Sequence, residues 1–434
     1  MRTAAPDCPA QRQGRPSAWA QISPAARRII LARMARSIGQ GALVAAFALY
    51  LHALHWSAPQ IGAVLSGALF LGAALTLWIG PLSDRVGRRQ FLLGYELVLV
   101  GCAAAAFASP SPWVLVPAAL LGSFGRGANG AAGPFGPLEQ SWLAHGTPPA
   151  LRAQIFSLNS TLGMLGMALG AALGATPHWL GQIMPTDWAY RVLFLLPLLG
   201  SAVGFGLLLQ ADDAPTVPRA AHPIQAGGAV TAPLHDDAAQ MQRRRENRLL
   251  WRLGLVNALN GLGIGMVAPL MAYWYLVRYG HGPASIGPAM AASFVCAAFG
   301  TQIASRLAQR WGAVRAVVGM RTAGLIMLLL TPLSPVFWIA AAFYALRATA
   351  NQGTMGVRQA LTVSLTGAER RGLAATVNNV SIQIPRAIGP LIAGLLLHHG
   401  WLIAPFLAAA AFQAGYLVLY QRFFRDVEPA RSAA

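Results

Sequence analysis

The chain has 434 residues, of which 56% are hydrophobic and only 10% charged, and its formal net charge is +19. That balance excludes an ordinary soluble globular domain, where about 25% of residues are charged. Nucleic acid is not the implied partner either, because the basic residues gather at the ends of apolar runs instead of on one polar face.

A polytopic membrane protein is expected, with the lipid bilayer as its partner. All 32 basic residues are arginine. Cys8, Cys102 and Cys296 are scattered, the last two inside apolar runs, so neither a disulfide framework nor a metal site is indicated.

Residues 1–28 are polar and contain proline and arginine without the apolar centre of a cleavable signal peptide, so they read as a disordered cytoplasmic tail. A crossing needs ~20 apolar residues. Twelve such runs follow, at roughly 29–53, 60–82, 91–109, 113–142, 153–176, 189–209, 249–276, 285–308, 314–333, 335–362, 373–397 and 401–423.

Between Ala211 and Asn247 the hydropathy collapses into a Pro-, Asp-, His- and Arg-rich stretch. The expected organisation is therefore a six-helix bundle over 29–210, a cytoplasmic linker over 211–247, a second bundle over 248–423 and a tail over 424–434. The fold class is all-α: twelve transmembrane helices in two pseudo-symmetric six-helix bundles.

Arginine placement tests this topology independently. Arg27 and Arg28, Arg85, Arg88 and Arg89, Arg152, Arg243 to Arg245 with Arg248, Arg310 and Arg315, Arg358, Arg370 and Arg371, and Arg422 with Arg425 all fall on one side of twelve crossings. The opposite loops carry Arg278, with Arg191 near a helix start. The positive-inside rule places both termini in the cytoplasm, and the cytoplasmic (inner) membrane is the expected location.

The two halves repeat. A shift of 225 places Arg27 on Arg252, Tyr50-Leu51 on Tyr275-Leu276, Ile61-Gly62 on Ile286-Gly287, Leu82 on Leu307, Arg85 on Arg310 and Gly87 on Gly312. Further on, a shift of 219 places Gln140 on Gln359, Arg152 on Arg371, Asn159 on Asn378 and Gly170 on Gly389. A duplicated unit of this kind suits a transporter whose solute site lies between its halves near the midplane.

Between the second and third runs lies Gly80-Pro81-Leu82-Ser83-Asp84-Arg85-Val86-Gly87-Arg88-Arg89. Gly80 and Gly87 permit a tight reversal, Asp84 can cap a helix N-terminus, and Arg85, Arg88 and Arg89 hold the turn on the cytoplasmic side. In the second copy Gln309 replaces Asp84, and Ala313-Val314 replace the arginine pair.

This G-x-x-x-D-R-x-G-R-R spacing resembles the loop between helices two and three of the major facilitator superfamily, and the resemblance extends over nearly all of the chain. It implies a cytoplasmic gate latch in which Asp84 faces the N-terminus of the eleventh span, near Gly372, and Arg88 joins Asp84 to Glu139 on the fourth. The plainer alternative for the arginines is that they only determine topology.

Arg126-Gly127-Ala128-Asn129-Gly130-Ala131-Ala132-Gly133 in the fourth run resembles the superfamily's R-x-x-x-G-x-[AG] motif. Counted from Pro112 at ~1.5 Å per residue, Arg126 lies ~21 Å into a ~30 Å core, beyond easy snorkelling. On a continuous helix Arg126, Asn129, Gly130 and Gly133 share a face, so Arg126 meets a solute or a buried acceptor. A structural arginine tied to backbone carbonyls is the alternative.

On the eleventh run Asn379, Gln383, Arg386 and Pro390 recur at i, i+4, i+7 and i+11, a polar stripe that must face protein or water. Gly389-Pro390 with Gly394 resembles the G-P-x-x-x-G pattern of antiporters, which belongs on the fifth helix, where no proline occurs between Gly163 and Gly174.

The remaining embedded polar groups are Arg36 with Gln40, Glu96, Asn257 with Asn260, and Arg347 with Asn351. Each pair presents one helix face. Helices one, four, seven and ten line the cavity in the superfamily, which makes the three pairs solute-binding candidates. Arg36 can alternatively snorkel to the cytoplasmic edge. Glu96 reads as the partner of an arginine more than as a proton carrier. His52 and His55 read as exposed loop residues, with pH sensing as the other option.

No Walker loop, nucleophile elbow or metal-ligand cluster is present, so neither an enzyme nor a cofactor is indicated. The expected function is a secondary transporter or facilitator, acting as a monomer, that moves a small solute by alternating access. Arg126, Arg347, Arg386 and Arg36 outnumber the embedded acids Glu96 and Glu139, which favours an anionic or carboxylate-bearing solute. Protons stand as the candidate coupling ion. The alternatives are a proton-coupled multidrug exporter and a membrane-embedded sensor built on the same fold.

Overall fold

A computed structural model of the chain describes residues 22–126, 135–145, 147, 151–211, 234–364 and 371–424. All the regular elements among them are helices. The first half comprises α1 (Pro24–Ala53), α2 (Ala58–Val86), α3 (Arg88–Ala108), α4 (Pro112–Gly122), α5 (Phe135–His145), α6 (Arg152–Leu173), the short α7 (Pro177–Leu180) and α8 (Thr186–Arg191), and α9 (Leu195–Leu209). The second comprises α10 (Leu234–Val267), α11 (Met271–Tyr279), α12 (Pro283–Trp311), α13 (Ala313–Leu333), α14 (Phe337–Ser364), α15 (Arg371–His398) and α16 (Ala404–Phe424). Nine helical spans among the described residues are long and apolar enough to cross a membrane. In hydrocarbon only a helix satisfies its own backbone groups, which is why apolar runs of this length become helices.

The repeat is visible in the helices themselves. α2 and α12 each run 29 residues and α3 and α13 each run 21. The joints between them are Gly87 at φ 98° and Gly312 at φ 90°, a left-handed backbone that a side chain would strain.

Two of the expected spans differ from the sequence expectation. The fourth run is not one continuous helix: α4 stops at Gly122, and Ser123 and Gly125 take φ values of 54° and 70°. A pair of left-handed residues cannot continue a right-handed helix. The seventh span starts at Leu234, inside the expected linker, because hydropathy registers apolarity while a polar helix can extend an apolar one without changing period. It then tightens at Ala268–Leu270, where Pro269 removes a backbone donor, before α11 continues.

The halves meet through α2 against α15 and α6 against α12. A Cβ on Gly62 would lie 2.4 Å from the Pro390 carbonyl oxygen, and one on Gly287 would lie 2.8 Å from that of Ala171. Leu391 N donates to Ser66 Oγ at 2.9 Å, adding a hydrogen bond across the same seam. Gly389, Pro390 and Gly394 therefore serve helix crossing, with Gly394 against Ala58.

The main apolar core lies at this end, away from the terminal ends of α1 and α16, and draws on both halves through Leu49, Leu65, Met271, Ile286 and Ala393. Toward the termini each half has its own cluster: Ile30, Leu92, Phe135 and Leu208 in the first, Val256, Val317, Tyr420 and Phe424 in the second.

Candidate solute site and its flanking charge networks

Inside the first half, Arg36 on α1 donates through Nη1 to Glu96 on α3 and through Nη2 to Glu139 on α5. Arg33, one turn earlier, lies 3.9 Å from the other Glu139 oxygen, and the Arg36 guanidinium stacks 3.8 Å over Phe135. Arg36 is 2% exposed and Glu96 fully buried, so Arg36 does not snorkel. Glu139 thus pairs with Arg36 and Arg33, two cations of α1. Glu96 is the arginine partner that its position suggested. Gln40, one turn along α1 from Arg36, lines with it, Ser123 and Ser201 a cavity of about 20 Å³.

The second half holds a counterpart that the sequence reading missed. Arg321 on α13, buried, donates to Thr354 Oγ1 at 3.0 Å, Asn260 Oδ1 at 3.0 Å and Asn351 Oδ1 at 3.1 Å. Arg358 donates to Asn257 Oδ1 at 2.9 Å, and Asn257 in turn donates to Asn378 Oδ1 at 3.0 Å. Arg321 and Arg358 both lie over the Tyr416 ring, at 5.5 and 5.4 Å. Asn257, Asn260 and Asn351 thus hold arginines within the bundle. The signal was available, since the shift of 225 carries Glu96 onto Arg321 and the shift of 219 carries Glu139 onto Arg358.

Three other arginines are differently placed. The break after α4 delivers Arg126, whose N–H donates to Ser123 O at 3.3 Å and whose guanidinium rests against Gly72 of α2. Its Nε and Nη1 are buried without a hydrogen-bond partner. Arg386 follows Pro385 on α15, where α10 crosses closely through Gly261 and Gly265, and its Nε is likewise unpartnered. Arg347 on α14 leaves both Nε and Nη2 unpartnered and lies 5.9 Å from the Tyr344 ring centre.

These groups belong to one electrostatic neighbourhood. Arg126 is close enough to Arg386 for their charges to interact, and Tyr344 senses both Arg386 and Arg347. Tyr275, whose hydroxyl is also unpartnered, meets Tyr344 edge to face at 6.4 Å between centroids. Gln383, half-buried, precedes Arg386 by one turn of α15. Guanidinium donors without acceptors, walled by aromatic rings, are equipped to bind an anion.

The hairpin residues divide. Arg89 donates from Nε and Nη2 to the carbonyls of Leu208 and Leu209, capping the C-terminal end of α9, a structural role alongside topology. Gly87 makes the α2–α3 joint, and Arg88 opens α3. Asn129 lies outside the described residues, as do the side chains of Asp84 and Arg85 and the packing around Gly80.

Two sets of membrane helices packed about a buried polar centre are an arrangement suited to passing a solute between them. The sequence model of the Major Facilitator Superfamily matches residues 29–257 and again 253–434, and the chain belongs to that family. It is 26% identical over 352 residues to the gentisate transporter of Corynebacterium glutamicum, covering 79% of this chain and 73% of that protein.

Its fold matches the crystal structure of a D-xylose-proton symporter with a TM-score of 0.69 at 13% identity, over 92% of this chain and 97% of that one. It also matches a bacterial homolog of the human lysosomal transporter Spinster, in an inward-facing and unoccupied conformation, with a TM-score of 0.66 at 14% identity over 96% and 100% of the chains. The protein is a multi-pass membrane transporter of small solutes, not an enzyme.

Proposed function

We propose that this transporter carries a small carboxylate-bearing anion across the cytoplasmic membrane by alternating access, as a monomer with both termini in the cytoplasm. The observation that carries the reading is the set of orphaned guanidinium nitrogens on Arg126, Arg347 and Arg386. A buried cation without an acceptor is costly, and a solute carboxylate supplies both the charge and the lone pairs. The relative from Corynebacterium glutamicum is named for gentisate, an aromatic carboxylate, which agrees in chemical class with an arginine centre walled by tyrosines. The apolar core shared by both halves away from the termini supports an inward-facing arrangement, with α2–α15 and α6–α12 as the closed side.

The test is uptake of labelled aromatic and aliphatic carboxylates into proteoliposomes. Saturable carboxylate transport by the wild type, absent in Arg126→Ala and Arg386→Ala proteins that still insert and fold, is the expected result. Imposing a pH gradient in the same assay tests protons as the coupling ion. Indifference to carboxylates, together with resistance of an overexpressing strain to cationic drugs, would replace this reading with drug export.

A further inference from the structure

The two buried acids of the first half, Glu96 and Glu139, have arginines, Arg321 and Arg358, as their repeat equivalents in the second. Glu96 and Arg321 are each the ninth residue of their helix, α3 and α13, following Gly87 and Gly312. In the first half the position holds a carboxylate that neutralises Arg36. In the second it holds a cation whose hydrogen-bond partners, Thr354, Asn260 and Asn351, are all neutral. The Tyr416 ring that Arg321 lies over is shared with Arg358, a second cation. Residues 248–423 contain a single acid, Glu369, which lies outside the described residues.

The orphaned polar atoms on the elements around Arg321 all have hydrogens to donate. Among the described residues they include Gln413 Nε2 and Tyr416 Oη, three residues apart on α16, besides the Arg347 nitrogens already assigned to the solute site. Tyr416 is the ring under Arg321, and Gln413 faces α10 at Gly263, three residues beyond Asn260. Donors without acceptors about an uncompensated buried cation are the inverse of a metal site, and amide and hydroxyl donors with a guanidinium suit a small anion.

We propose that the second bundle contains its own inorganic-anion site, of halide type, held by Arg321 with Gln413 and Tyr416. It supplies the counter-charge that Glu96 supplies in the first bundle. The site lies inside one bundle, and it does not depend on what the central cavity carries. The chemistry involves binding only.

The probe is chloride, titrated against the full-length purified protein in isethionate buffer at constant ionic strength, with the thermal unfolding midpoint as readout. Wild-type protein is expected to rise saturably in midpoint with chloride, by mass action on the folded state. Arg321→Gln is expected to raise the half-saturating chloride concentration about tenfold or more, since one charge-assisted hydrogen bond contributes at least that factor.

Arg321→Glu rebuilds the first-half pattern with the acid beside Arg358 and is expected to fold with no chloride response. Arg126→Gln is expected to keep the wild-type response while losing solute binding, so failure of this site and failure of the solute reading are told apart. A wild-type protein indifferent to chloride would overturn the proposal. So would a response lost in Arg126→Gln but kept in Arg321→Gln, which would assign the anion to the central cavity.

Discussion

Gly62 and Gly287, 225 residues apart, make the same contact in opposite halves: Gly62 of α2 meets the Pro390 carbonyl of α15, and Gly287 of α12 meets the Ala171 carbonyl of α6. Pro390 and Ala171 are themselves repeat equivalents at the shift of 219. Two positions of one duplicated unit, each used twice, thus build both crossings that join the halves. A gate made of two symmetric, backbone-close seams can open only by separating both, which favours rigid rocking of the bundles over local fraying.

The seam gives the first prediction. Gly62→Ala or Gly287→Ala inserts a methyl group within 3 Å of a backbone carbonyl, where the strain is about 1–3 kcal/mol. Either variant is expected to shift the population toward the state open on that side by roughly tenfold. Labelling of a cysteine introduced at Ser66 by a membrane-impermeant thiol reagent reads the shift directly.

Truncating the central arginines tests the solute site. Arg126→Ala and Arg386→Ala are each expected to weaken carboxylate binding by about 2–5 kcal/mol, the usual cost of removing one partner of a buried charge pair. Thermal midpoints without solute are expected to stay within a few degrees of wild type, because neither side chain has a charged protein partner to abandon. Solute titration monitored by the midpoint separates the two effects.

The first-half network behaves oppositely. Arg36→Met leaves Glu96 and Glu139 buried beside the Arg33 charge alone, which is expected to destabilise the bundle by about 3–5 kcal/mol. Combining it with Glu96→Met and Glu139→Met is expected to recover most of that loss, since apolar residues of similar volume can replace a buried ion pair. Detergent-solubilised thermal unfolding of the single and triple variants measures the difference.

The hairpin latch is a proposal carried by resemblance, and Asp84 tests it. A carboxylate at the start of α15 would contribute about 0.3–1 kcal/mol, so Asp84→Asn is expected to change the transport rate about two- to fivefold without altering solute affinity. Rates and affinities identical to wild type would remove Asp84 from the gate.

Much of the architecture was legible in the sequence because the bilayer is an unforgiving solvent. Run length marks the candidate crossings, arginine position gives the expected orientation, and a gapless repeat pairs α2 with α12 and α3 with α13. The embedded arginines could also be found, since ionisable groups inside apolar runs are rare.

What each arginine does was decided only by the tertiary structure. Arg36 and Arg126 both stand in the sequence as embedded arginines and candidate solute ligands. Yet Arg36 is enclosed by Glu96 and Glu139 from helices 60 and 103 residues away, whereas Arg126 emerges from a left-handed break with two nitrogens unpartnered. Spacing along a helix reports which side chains share a face, but the partner of a buried charge comes from another helix. Whether a guanidinium is neutralised or left to bind a solute depends on that distant contact, which only folding brings within reach.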